Sequence, residues 1–224
     1  MLPQLVIFDC DGVLVDTEDI YFAMNKKFIN EQVKNASTAA AFTFGYYEHF
    51  IGMASDLMWD EIRTKFNLRH SVEELIQIEK ENKLAALQNA PIAPIDGVQS
   101  LIQKLLEKNV NLAVASSGRR EAVTLLLAKS NLMQYFPVIV TGEDVMRGKP
   151  APDIFLKAAQ LSKAPAGASV VIEDSRNGIL GAKAASMRAV GYINPKSGSQ
   201  DLSKADLRVQ SFNDSALLEF LSLT

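Results

Sequence analysis

A chain of 224 residues, 48% hydrophobic and 22% charged, has room for one large domain or for a core carrying a smaller insert. Its net charge of −3, with no large basic block, excludes a nucleic-acid or membrane-surface protein. The single cysteine, Cys10, excludes an intramolecular disulfide and fits a reducing compartment. The N-terminus lacks the charged and long apolar regions of a signal peptide, and nowhere do about 18 apolar residues run together. The expectation is a cytoplasmic α/β protein, with no nucleic-acid or membrane partner and no obligate protein partner evident.

In chain order, the first element is the apolar run "LVIF" (Leu5 to Phe8). From Thr17 to about Ala90 no strand pattern appears. Ile20, Met24 and Phe28 recur every four residues, as do Met58, Ile62 and Phe66. A third helix is announced by "SVEE", where Ser71 and Glu74 have capping-box spacing. "APIAPIDG" then marks a return to a different rhythm. "NLAVAS", "VIVT", "SVVIE" and "RAVGY" alternate with the amphipathic segments "GVQSLIQKLLEKN", "REAVTLLLAKSN", "DIFLKAAQLS" and "RNGILGAKAASM". Short, β-branched, unalternated runs suit strands buried on both faces, as in a parallel sheet under helices. The predicted fold is therefore α/β, a doubly wound parallel-sheet core over residues 1–16 and 92–224. An all-helical cap domain is inserted at residues 17–91.

Charge gathers where the predicted strands end. Asp9 and Asp11 follow the first strand, and side chains two apart on an extended chain point the same way. Gly12 permits a tight bend or close backbone approach. Two carboxylates so close repel unless a cation or a proton intervenes. A hard ion such as Mg²⁺ is one solution. A shared proton, making one aspartate a nucleophile and the other a general acid, is another. A turn rich in Asp and Gly is the plain structural alternative.

Three further strand ends bear on the choice. "VASSGRRE" places Ser116, Ser117 and Gly118 before a helix, as an anion cradle or simply a helix cap. "RGKPAPD" holds Lys149 between an exposed loop and a helix, where a lysine is ordinarily solvated. "VVIEDSRNG" places Glu173 and Asp174 at a sheet edge, with capping by Asp174 or Ser175 as the alternative. A carboxylate cluster, a hydroxyl and amide cradle and one lysine together would hold a phosphoryl group and a metal.

Over almost its whole length the sequence resembles the haloacid dehalogenase superfamily of hydrolases, in the β-phosphoglucomutase and sugar-phosphatase branch. The four motifs of that family are matched in order by "DCDGVLVDTE", "VASSG", "GKPAPD" and "IEDSRNG", and the helical insert matches the branch's cap. The resemblance implies that Asp9 is a nucleophile forming an aspartyl-phosphate. Asp11 would be the acid and base, its backbone carbonyl joining the metal shell. Ser116, with Ser117 and Gly118, would bind the phosphoryl oxygens, and Lys149 would neutralise charge between nucleophile and substrate. Asp174, with Glu173 beside it, would complete a Mg²⁺ site with Asp9 and Asp11. Phosphoryl transfer asks mainly for positioning and charge neutralisation, so these roles are chemically coherent.

Within that branch the residues favour a phosphatase acting on a small phosphorylated metabolite, such as a sugar phosphate. Asp11 and the "IEDS" pair argue against dehalogenation. Phosphonate cleavage would need a cap lysine, and Lys80 and Lys83 read as a solvated helix face. A β-phosphoglucomutase-like phosphotransferase is the alternative. Such chains carry basic residues in the segment here reading "HFIGMASDLM", where this one has Ile51, Met53, Ala54 and Ser55 and no Lys or Arg before Arg63. Tyr21 stands where mutases often place a histidine. A non-catalytic metabolite-binding protein is a third reading, and it predicts loss of a motif residue that is not lost. His49, His70, Trp59, Arg119 and Arg120 read as structural. Hinges are expected near Val15 to Glu18 and Ala90 to Pro94, and Tyr21, Met53, Ser55, Lys80 and Lys83 are candidates for specificity.

Overall fold

The computed structural model describes residues 1–51, 53 and 55–224. The chain divides into two compact units, residues 1–16 with 92–224 and residues 17–91.

The first unit is built on strands β1 (Leu5–Phe8), β2 (Asn111–Ser116), β3 (Val138–Thr141), β4 (Ser169–Glu173), β5 (Arg188–Tyr192) and β6 (Leu207–Val209). They form one sheet in the order β3-β2-β1-β4-β5-β6, and every pairing is parallel. The register sets Phe8 beside Val114 on one side and Ile172 on the other. All four residues of β1 are buried, which explains why "LVIF" shows no polar alternation. On one face Leu5, Ile7, Ala113, Ala115, Val140 and Val171 pack with Phe155, Ala158, Ile179 and Ala182 from two crossover helices. On the other face Phe8 meets Phe136 edge-on, with ring centroids 5.7 Å apart.

Chain order reverses between β1 and β4, so a crevice opens beyond the carboxyl ends of these strands. The unpredicted β6 is three residues long, too short to show a pattern.

The second unit, residues 17–91, consists of α1 (Glu18–Gln32), α2 (Ala36–Ala40), α3 (Phe44–Tyr47), α4 (Ser55–Phe66) and α5 (Val72–Asn89), with a 3₁₀ turn over Glu48–Phe50. Ser71 and Glu74 make the expected reciprocal cap: Ser71 N donates to Glu74 Oε2 at 2.8 Å, and Glu74 N to Ser71 Oγ at 3.2 Å. Phe28, Phe42, Tyr47, Phe50, Trp59, Ile62, Phe66 and Leu75 form its core. The short helices α2 and α3 begin at Asn35 and Thr43, whose side chains accept backbone N–H bonds.

The remaining helices of the first unit are α6 (Val98–Glu107), α7 (Arg120–Lys129), α8 (Asp153–Leu161), α9 (Arg176–Ala184) and α10 (Ser215–Phe220). Among the described residues no helix is long and apolar enough to cross a membrane.

Candidate active site

The crevice at the sheet switch point receives side chains from the ends of β1, β2 and β4 and from the loop before α8. Asp9 directly follows β1 and is buried. Asp11 follows in a tight loop that Gly12, at φ +77°, turns back on itself, with Gly12 N donating to Val15 O at 2.8 Å. A side chain at residue 12 would run into Asp174 Oδ2, so the first and fourth motifs approach here as closely as backbone allows.

Lys149 crosses from the loop before α8 to the carboxylates. Its side chain is only 5% exposed, contrary to the solvated lysine that is ordinary in such a loop. Nζ donates to Asp9 Oδ1 at 2.5 Å, Glu173 Oε1 at 2.7 Å and the Ala115 carbonyl at 2.9 Å. Those partners use all the donors an ammonium has.

Glu173 is committed at both oxygens: Oε1 to Lys149, and Oε2 to the Ser175 N–H and hydroxyl, each at 2.8 Å. Its carboxylate thereby anchors the lysine and the turn into α9. Ser175 caps α9 by accepting from Gly178 N at 3.0 Å, so Asp174 is not the cap. Asp174 instead accepts a short hydrogen bond from the Ser197 hydroxyl.

Ser116, at the end of β2, is buried and does not cap α7, whose N-cap is Arg119. Its Oγ accepts from Gly118 N at 3.0 Å, which already engages one amide of the expected cradle, and Ser117 is exposed. A Cβ on Gly118 would lie 3.2 Å from Ser116 Oγ and 3.9 Å from Asp11 Oδ2, so hydroxyl and carboxylate flank the same backbone.

Charge at the site is unbalanced. Burial pushes Asp9 up to about 7, with Lys149 pulling it down and Glu173 and Asp11 repelling it. Asp174 is raised well above the usual carboxylate range, first by burial and then by Glu173 and Asp9. Burial opposes the charge on Lys149, but Asp9 and Glu173 outweigh it and hold the ammonium protonated. Lys149 pairs with both Asp9 and Glu173, so two carboxylates share one ammonium.

Among the described residues no three His, Cys, Asp or Glu side chains gather as metal ligands. Asp9 and Asp174 each keep one carboxylate oxygen outside the bonds described above, with Glu173 beside them. That oxygen set fits Mg²⁺, which is commonly held by one or two carboxylates while keeping water and substrate oxygens.

A family model for haloacid dehalogenase-like hydrolases matches residues 6–192. The chain belongs to the haloacid dehalogenase-like hydrolase family. A curated relative, "Probable pseudouridine-5'-phosphatase" of Drosophila melanogaster, is 29% identical and covers 93% of this chain and 89% of its own. "Beta-phosphoglucomutase" of Bacillus subtilis is 28% identical, covering 96% and 92%. A solved haloacid dehalogenase-like protein of unknown function from Agrobacterium tumefaciens superposes with a TM-score of 0.79 at 27% identity, covering 98% of this chain and 99% of that one. As a haloacid dehalogenase-like enzyme the chain is a hydrolase of the phosphatase type.

Of the residues expected to be structural, His70 lies against Phe28 with its Nδ1 buried and without a hydrogen-bond partner among the described residues, and the others pair or pack with neighbours. Arg119 and Arg120 pair with Glu143 and Asp144 at 3.1 and 2.5 Å. His49, exposed, lies 3.9 Å from Glu61. Trp59 is fully buried in the helical unit, where Nε1 donates to Glu79 Oε2 at 2.9 Å. Lys83 departs from its expected solvated position: Nζ is 2.9 Å from Glu79 Oε1 and 4.7 Å from the Tyr21 ring centroid. Lys80 is exposed on α5, Ser55 opens α4, and Ala54 lies outside the described residues.

Proposed function

We propose that the chain is a Mg²⁺-dependent phosphatase of small phosphorylated metabolites, acting through an aspartyl-phosphate on Asp9. The observation that carries this reading is the buried Lys149 held between Asp9 and Glu173. A nucleophilic carboxylate must meet an anionic phosphate, and such a reaction needs cations on both partners. The bound Mg²⁺, held by Asp9, Asp174 and the Asp11 carbonyl, would supply the charge neutralisation that Lys149 alone does not.

In the first step an Asp9 oxygen attacks phosphorus while the bond to the leaving oxygen breaks. Asp11 gives its proton to that oxygen. In the second step Asp11, now ionised, takes a proton from water as the water oxygen attacks phosphorus, and the Asp9–phosphate bond breaks to release phosphate. Ser116 orients phosphoryl oxygens, and Glu173 keeps Lys149 in place. The helical unit, residues 17–91, serves as the cap that selects the leaving group.

The test is phosphate release from a panel of phosphorylated metabolites, with and without Mg²⁺, using Asp9→Asn as the inactive control. The panel includes pseudouridine 5'-phosphate and β-glucose 1-phosphate with a bisphosphate activator, since relatives carry both activities in their names. Mg²⁺-dependent phosphate release is expected. An isomerised sugar phosphate without free phosphate would make the protein a mutase instead, and no turnover by the wild type would leave a binding protein.

A further inference from the structure

The loop after β5 belongs to none of the four motifs, yet it reaches the centre of the site. It leaves the sheet at Tyr192 and runs through "INPKSG", with Asn194 and Ser197 5% and 3% exposed. Burying polar side chains in a connecting segment is costly unless each finds a partner. Asn194 Nδ2 donates to the Gly12 carbonyl at 2.9 Å and to Asp16 Oδ1 at 2.8 Å, while its Oδ1 accepts from Lys196 N at 2.8 Å. Ser197 N donates to Asn194 O at 3.2 Å, which closes a tight turn. Gln200 then ties the far side: its Nε2 donates to Ser197 O at 3.1 Å, and its Oε1 accepts from the first N–H of α9, at Arg176, also at 3.1 Å. The loop thus straps the Asp11–Asp16 turn to the start of α9.

At the middle of this strap the Ser197 hydroxyl donates to Asp174 Oδ2. Asp174 has no share in the bonds that fix its neighbours, since Ser175 caps the helix and Glu173 takes Lys149. An ideal Cβ on Gly12 would come within 2.9 Å of Ser197 Oγ as well as meeting Asp174, so the three groups converge on one spot.

We infer that Ser197 is a positioning residue: its hydroxyl fixes the rotation of the Asp174 carboxylate for Mg²⁺, and Asn194 fixes the strap against the nucleophile loop. The inference rests on the proposed metal role of Asp174, but not on phosphatase turnover. A group that orients a metal ligand typically contributes about 10–100-fold in metal affinity.

The experiment is titration of Mg²⁺ into the full-length chain by calorimetry, with the Mg²⁺-induced shift in melting temperature as a second readout. Ser197→Ala is expected to weaken Mg²⁺ binding about 10-fold or more. Ser197→Thr, which keeps the hydroxyl, should stay within about 3-fold of wild type, while its isostere Ser197→Val should match the alanine variant. A Val variant that binds Mg²⁺ as tightly as the Thr variant would overturn the inference, and this pair decides it even if the alanine variant does not fold. If wild type binds Mg²⁺ in this assay but hydrolyses nothing, the function proposed above fails while the role of Ser197 is still decided.

Discussion

Lys149 Nζ and Glu173 Oε1 lie 2.7 Å apart, both side chains almost wholly buried, and the same ammonium reaches Asp9 at 2.5 Å. Removing the lysine leaves two buried carboxylates facing each other. Breaking a buried ion pair from one side costs about 3–5 kcal/mol, so Lys149→Met should lose stability of that order in urea unfolding at pH 8. Losing one preorganised charge at a phosphoryl site should also lower kcat by about 10²–10³. Glu173→Gln should cost less, because its one amide oxygen can still accept from Lys149, although the NH2 group that replaces Oε2 cannot accept from Ser175. A Lys149→Met variant as stable as wild type would mean the pair is not formed in solution.

The sign of the pH dependence follows from the same cluster. Asp9 is raised from 3.8 to about 7 by burial, against the pull of Lys149, and Asp174 is raised in the same direction. A carboxylate with a folded pKa above its unfolded value binds more protons when folded. Its contribution is fully present below about pH 4 and is lost as pH rises through about 7. In EDTA the melting temperature should therefore fall between pH 5.5 and pH 8, and Asp9→Asn should flatten that slope. Saturating Mg²⁺ should flatten it too. The check is differential scanning fluorimetry across that range, and a chelated protein whose stability rises from pH 5.5 to 8 would contradict the expectation.

Gly12 stands at φ +77°, and a Cβ built on it would run into Asp174 and Ser197. Gly12→Ala meets two penalties. The left-handed backbone costs a non-glycine residue about 1–2 kcal/mol, and the new methyl displaces Asp174. Stability should drop by at least that amount, with a loss of Mg²⁺ affinity that Gly148→Ala, where a Cβ meets nothing, should not share. Calorimetric Mg²⁺ titration of both variants separates the effects.

Much of this was legible because burial leaves marks in sequence. The core strands read as strands because both faces are covered, and Ser71 with Glu74 could be read from spacing alone. The shorter pieces could not. "LRV" and "FGYY" are too brief to express a period. Spacing alone reads the adjacent pair Glu173 and Asp174 as one unit, and nothing in it announces that Glu173 anchors Lys149. The backbone turn after β4 sends the two side chains to different partners. Asn194 and Ser197 were missed because "NPKSG" carries the composition of any exposed turn. Glu79 was missed since an acidic residue on a helix ordinarily faces water.

Glu79 supplies the last expectation. It is 4% exposed, with Trp59 Nε1 on one oxygen at 2.9 Å and Lys83 Nζ on the other at 2.9 Å. Trp59 is the single tryptophan, so its emission reports on the helical unit alone. Lys83→Met leaves the carboxylate with only a neutral donor, and should destabilise the unit by about 1–3 kcal/mol in fluorescence-detected urea unfolding. Glu79→Gln removes the charge but can retain the tryptophan hydrogen bond, and should cost less. In the double variant the uncompensated charge is gone, so its loss should be smaller than the sum of the two single losses. Additive losses would mean that the Lys83–Glu79 contact contributes nothing to the stability of the helical unit.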